Sequence, residues 1–358
     1  MLVKLPFNFN AGIQTECWTF YKVAILSAYP QFIPWLNQHC NNLFLTGNFQ
    51  LAYGENCRLY DQYRYFEQVL CVEEADCTLL DTEEDALWYI KDKLSHQEYI
   101  LLECDFTGTD IEGDWQLVRE CLIYGMDTQN QTVYVPYLQK GRWISSAIKL
   151  SILLQAHRKS RGKKDFLHES LRLLQYRATL FRPVFTGKFA PSLHVFWKDI
   201  RYIYKSNNKE IRLVEKAVEK GRETEHTVCQ IYWDGYNACL SGMIAMVKKL
   251  LAQEWILRNL DDNLALTFKR LWEYRVYSKL RNSSLEEHFV PEYLIKNQQY
   301  EERNIQLLRN ASLFALKYTH YQNEKNLKAI LKILHEVKDS EDYLLDDLYI
   351  RLSDKIGY

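Results

Sequence analysis

The hydrophobic pattern of this chain changes period near Gly141, and that change constrains the fold more than any single motif. Upstream, apolar residues come in runs of strand length, 99–105, 120–124 and 132–135, separated by polar connections. The connection 127–131 is short and of hairpin type, whereas 107–114 is a longer polar loop of the kind found at the rim of a site. Helical spacing also occurs upstream. In 17–29, Phe20, Val23, Ala24, Ser27 and Ala28 recur at three- and four-residue steps. After Pro30 and Pro34, the residues Trp35, Leu36, Leu43 and Phe44 suggest a second apolar helix. Thr82 is a good N-cap for a third over 86–94, because Glu83, Glu84 and Asp85 suit the positive helix end.

Downstream the helical period dominates. It predicts helices over 144–157, 211–221 (closed by Gly221 as a C-cap), 238–257, 264–280, 304–321 and 326–337. The fold class predicted is α+β, with an α+β domain over 1–155 followed by an α-helical domain over 156–358. At 358 residues the chain is long enough for both, and 47% hydrophobic with 14% aromatic residues excludes a disordered polymer.

Charge and cysteine usage remove several function classes. Lys+Arg 45 against Asp+Glu 46 leaves no broad basic footprint, so no nucleic-acid partner is expected. The basic stretch 158–164 reads as an exposed connection. No run approaches the length of a membrane span, and the opening residues Met1 to Asn8 lack the apolar core of a secretory signal. Nine cysteines, spread singly from Cys17 to Cys239, form no CxxC pair and no zinc spacing. Reduced thiols in the cytoplasm and no metal are the expectation. Phosphate-loop, dinucleotide and HExxH motifs are missing, so no cofactor is expected.

Two places carry candidate chemistry. Cys17 opens the first helical run, where the positive helix end stabilises a thiolate. About a hundred residues later comes Arg119-Glu120-Cys121-Leu122-Ile123-Tyr124-Gly125-Met126-Asp127, a strand with a YGxD end. The segment from Cys17 through Trp35, CWTFYKVAILSAYPQFIPWL, together with the strands from Tyr99 to Val135, resembles the BtrH-like N-terminal domain of butirosin biosynthesis. That family is related to papain-like C39 peptidases, and its type member moves an acyl group from an acyl carrier protein thioester onto an amine. The resemblance covers roughly the first 150 residues and implies a papain-like domain ahead of the helical one.

Residue by residue, the resemblance makes Cys17 the nucleophile and Asp105 an acidic position at the end of the first strand. It places the family histidine at Arg119, or at Glu120 with a slip of one. The orienting residue falls at Pro136 or Tyr137. Arginine stays protonated and cannot accept a proton, and proline has no polar side chain. Glu120 is left as the carboxylate base, and Arg119 as a substrate-binding cation. Only one of the two faces inward on a strand. Gln14 is of the type that donates an oxyanion-hole hydrogen bond. His39, His96, His157 and His168 are the histidines nearest in sequence that a fold could bring in.

Two functions follow. One is an acyltransferase or amide-forming enzyme of specialised metabolism, passing an acyl group from a carrier-protein thioester through Cys17 to an amine. The alternative is a homologue with a degenerate triad that serves as a binding or partner subunit. A peptidase is the weakest reading, since amide hydrolysis depends most on the missing base. A homo- or hetero-dimer is compatible with either. In the second half, His226, Cys229, Trp233 and Tyr236 have helix-compatible spacing and read as core packing, and Asp261 and Asp262 with Lys269 and Arg270 read as a charged helix start.

Overall fold

The computed structural model describes residues 1–13, 15, 17–39, 43–45, 51–53, 65–109, 118–139, 141–160, 178–185, 189–205, 208–219, 222–252 and 261–357. It is a mixed α/β protein with antiparallel sheets and a helical C-terminal region. The chain divides into two compact units, one of 1–33 with 64–188 and the other of 34–63 with 189–358.

The first unit carries strands β1 (Leu2–Lys4), β4 (Leu70–Glu74), β5 (Tyr99–Asp105), β6 (Val118–Ile123), β7 (Gly125–Asp127), β8 (Thr132–Gln139), β9 (Arg142–Lys149) and β10 (Ala178–Pro183). Its helices are α1 (Cys17–Ser27), α3 (Glu83–Ser95) and α4 (Leu150–Lys159). The second unit carries β2 (Leu43–Leu45), β3 (Leu51–Tyr53), β11 (Asn208–Glu219) and β12 (Arg222–Asp234). It also holds α2, which starts at the boundary (Ile33–His39), α5 (Leu193–Lys205), α6 (Tyr236–Leu251), α7 (Asp261–His288), α8 (Tyr293–Tyr321) and α9 (Glu324–Ile356).

The first unit has two sheets, ordered β4-β10-β5-β6 and β1-β7-β8-β9. Every residue of β5 is buried, as a central strand covered on both faces requires. The predicted strand 99–105 has those bounds, and the Thr82 cap holds: its hydroxyl accepts from the Asp85 N–H at 3.1 Å. Pro136 lies inside β8, opposite Ser145 of β9. It is tolerated because β7 pairs with β8 only up to Tyr134, so β8 is an edge on that side at Pro136.

Several helical predictions are corrected. Residues 142–149 form a strand, and the helix begins at Leu150, where Leu150, Leu153, Leu154 and His157 take up the buried helical stripe. Residues 211–219 belong to β11, a strand rich in charged residues with Ile211, Val214 and Val218 among them; Gly221 lies outside the described residues. His226, Cys229 and Trp233 sit on β12 rather than on a helix, so the helical stripe they suggested is not formed. Leu43 and Phe44 are in β2 rather than in a helix. The second half therefore holds a long two-stranded ribbon between α5 and the helices that run from Tyr236 onward.

In the second unit, α7, α8 and α9 pack around a buried polar cluster. Arg275 Nη2 lies 2.6 Å from Glu301 Oε2 and its Nε 2.6 Å from Glu341 Oε1. Asn282 donates to Glu301 at 2.7 Å and Asn304 to Glu341 at 2.6 Å. Among the described residues no helix is long and apolar enough to cross a membrane.

Candidate functional site

The site is assembled by the way α1 lies on the β5–β6 pair. The Tyr29 hydroxyl, just past the end of α1, sits 3.2 Å from that of Tyr99 at the start of β5. The Tyr99 hydroxyl also donates to the Pro6 carbonyl at 2.5 Å. Eight residues earlier, Tyr21 donates its hydroxyl to the Glu120 carbonyl of β6 at 3.1 Å. From Tyr21 to its end at Ser27 the helix rises about 9 Å, with Tyr29 two residues further on, and the four strand residues from Tyr99 to Glu103 span about 13 Å. Helix and strand therefore run side by side over that length, and Cys17, one turn before Tyr21, opens α1 toward the Asp105 end of β5.

The β5–β6 register is unbroken and sets Glu103 opposite Glu120, Cys104 opposite Arg119, and Asp105 opposite Val118. Residues opposed across antiparallel strands share a face, and alternate residues along one strand share it too. Tyr99, Leu101, Glu103 and Asp105 thus lie on one face of β5, with Glu120 and Leu122 beside them on β6. Because Tyr99 meets Tyr29 there, this is the face α1 covers. Glu103 and Asp105 are buried, and Glu120 is half-buried. The fold therefore brings Glu120, Asp105 and the start of α1 to one region, and adds Glu103, which the sequence reading missed. The signal for Glu103 was a charged residue inside an otherwise apolar run.

Asp105 is committed locally. Its carboxylate accepts from the Thr107 N–H at 2.9 Å and from the Thr107 hydroxyl, closing the turn after β5. Gln14 lies outside the described residues, as does the loop from 110 onward; Cys17 and Arg119 are described in their backbone alone. Of the histidines, His157 is buried on α4 and its Nδ1 meets the Glu103 carbonyl at 2.7 Å. His96 is exposed after α3, with Nδ1 2.9 Å from the Asp92 carbonyl. His39 belongs to the second unit, stacks on Trp35 at 4.8 Å, and is held by burial at a pKa of about 4. His168 lies outside the described residues. Tyr137 is buried in β8.

The start of the basic stretch has a structural use. Arg158 donates to the Asp81 carbonyl at 3.2 Å and Lys159 to the Thr107 carbonyl at 2.7 Å, tying α4 to two loops of its own unit. No group of His, Cys, Asp and Glu among the described residues is arranged to hold a metal ion. No protein-family model matches this chain, and no curated protein matches it.

Proposed function

We propose that this chain is a cysteine-dependent acyltransferase with a papain-like first domain, working in the cytoplasm and moving an acyl group from a carrier-protein thioester through Cys17 to a small-molecule amine. One observation carries the reading: the Tyr21–Glu120 hydrogen bond, with Tyr29 on Tyr99, lays α1 along a face of β5–β6 that bears Glu103 and Glu120. A helix opened by cysteine beside an antiparallel pair with proton-accepting side chains is the arrangement thiol chemistry needs.

In the first step the Cys17 sulfur attacks the thioester carbonyl. The carbon–sulfur bond to the carrier breaks, and the thiol proton leaves with the carrier thiol. In the second step the amine attacks the acyl-Cys17 carbonyl, the new amide forms, and the sulfur leaves. The cationic amine first gives one proton to Glu103 and on to solvent, and the second, freed as the amide forms, passes through Glu120 to the Cys17 sulfur. Glu103 and Glu120 hold the amine while it is still cationic. Arg119, next to Glu120 on β6, falls on the other face of the strand and takes no part in this step, and Gln14 serves the oxyanion. Asp105, engaged by Thr107, positions the loop after β5.

A second reading is favoured by the commitments of Asp105 and His157 to local partners. In it the domain keeps the scaffold as a binding subunit for a carrier or a catalytic partner. Alkylation of the native protein across a pH series, mapped by mass spectrometry with Cys17→Ala as control, decides between them. Selective labelling of Cys17 well below about pH 8, and a mass increase on Cys17 with acyl-carrier thioesters, support the enzyme. Labelling no faster than at the other eight cysteines, with no acyl adduct, refutes it and leaves the binding subunit.

A further inference from the structure

The β11–β12 ribbon is long for what supports it. All twelve residues of β11 are in register with β12, from Asn208 opposite Trp233 to Glu219 opposite Arg222. β2 joins β12 only at Trp233 and Asp234. Eleven register pairs, from Lys209–Tyr232 onward, thus have two strands alone among the described residues, a span of about 35 Å. The ribbon is anchored at its base, where Trp233 lies against α6 so closely that a Cβ at Gly242 would fall 2.5 Å from its ring.

A two-stranded hairpin is marginal in water, and three or more strands are needed for independent stability. β11 is the outer strand of the order β11-β12-β2-β3, with no proline and no break in its register. Proline and bulges are two of the devices that blunt a sheet edge, and this edge has neither; it carries a third, charge, but in both signs, Lys209, Arg212 and Lys216 with Glu210, Glu215 and Glu219.

We propose that β11 pairs antiparallel with β11 of a second copy of this chain, joining the two ribbons into a four-stranded sheet about a two-fold axis at Leu213. The choice of partner and register follows from symmetry and charge. A two-fold axis normal to the sheet keeps each side chain on its own face, and opposed residues must share a face, so one residue sits opposite its own copy. The central candidates are Leu213 and Val214. An axis at Val214 sets Arg212 against Lys216 of the second copy, twice. An axis at Leu213 sets Glu210 against Lys216 twice, puts Leu213 against itself, and opposes no like charges along the strand. Eleven residues, 208–218, then pair across the axis.

Within its own ribbon Glu210 stands opposite Ile231 and Leu213 opposite Val228, so changing either residue tests the new edge without opposing charges in the hairpin. The full chain, weighed by sedimentation equilibrium, is expected at twice its 42.7 kDa. Leu213→Cys should form a disulfide-linked dimer under mild oxidation, while Ile211→Cys, set opposite Glu215, and the wild type should not. Glu210→Lys should weaken the dimer about tenfold, since two attractive pairs become repulsive. A wild-type mass of one chain at about 100 µM overturns the proposal. So does a dimer that persists unweakened in Glu210→Lys and leaves Leu213→Cys uncrosslinked.

Discussion

Replacing Arg275 by methionine removes a cation that two buried carboxylates share. Glu301 and Glu341 are both buried, and among the described residues each keeps an asparagine donor, Asn282 or Asn304, once the guanidinium is gone. Burial works against the charge on Arg275, but Glu301 and Glu341 more than offset this and raise its pKa well above the ordinary value. On Glu341 burial wins: its carboxyl lies above the ordinary range despite the pull of Arg275. Breaking a buried pair on one side costs about 3–5 kcal/mol. For a unit of about 200 residues, each kcal/mol moves the midpoint by about 2–4 °C, so Arg275→Met should lower the melting temperature of the second unit by about 10 °C.

The pH dependence has a definite sign. Without Arg275 the folded-state pKa of Glu341 rises further above that of the unfolded chain. A group raised in the fold favours folding below its unfolded pKa, and that contribution is lost as pH climbs through the folded value. The deficit of Arg275→Met against wild type should therefore be larger near about pH 8 than near about pH 5, read by calorimetry at both. Arg275→Met with Glu301→Gln and Glu341→Gln keeps both asparagine bonds and removes the stranded charges, so it should recover most of the loss and lose the pH trend. A deficit below about 2 °C at both pH values, or one that grows toward acid, refutes this account of the cluster.

Two further changes test the packing. Gly242→Ala puts a Cβ 2.5 Å from the Trp233 ring, so the ring must move, with a cost of about 1–3 kcal/mol and a change in tryptophan emission. Burial depresses His39 from 6.5 to about 4, so its contribution is present above about pH 6.5 and lost as pH falls toward about 4. In His39→Phe the fall in melting temperature between about pH 7 and about pH 4.5 should be smaller than in wild type. An equal fall would assign the acid sensitivity to other groups.

The sequence was legible where burial and local chemistry agree. The run 99–105 reads as a strand because every position is apolar or buried, and Thr82 reads as a cap because its hydroxyl meets the Asp85 N–H. It misleads at 144–157, where the four-residue spacing of Ile144, Ile148 and Ile152 fits both periods, and at 211–221, where Ile211, Val214 and Val218 follow the helical period although they lie in a strand. The arbiter is the partner: β9 pairs with β8 over eight positions and β11 with β12 over twelve, and such pairing has no trace in a local window. The site divides in the same way. Cys17 and Glu120 were visible as residue types, whereas Glu103 joined them only once the β5–β6 register set it opposite Glu120.

That register also bears on which acyl donor the proposed chemistry suits. In a thiol–imidazole pair the base takes the thiol proton and returns it to a leaving group that is a poor one, the amine of an amide. Here the functional face of β5–β6 offers carboxylates, and the strand position that the resemblance assigns to histidine holds Arg119. A carboxylate is anionic before it accepts a proton, so it does nothing to attract a neighbouring thiolate, and the helix end is what supplies a favourable field. Such a site is poor at amide cleavage. It is sufficient for exchange between thioesters, whose leaving thiolate needs little protonation, and the carboxylates become useful only in the second step, when the incoming amine must be held as a cation and then relieved of its proton.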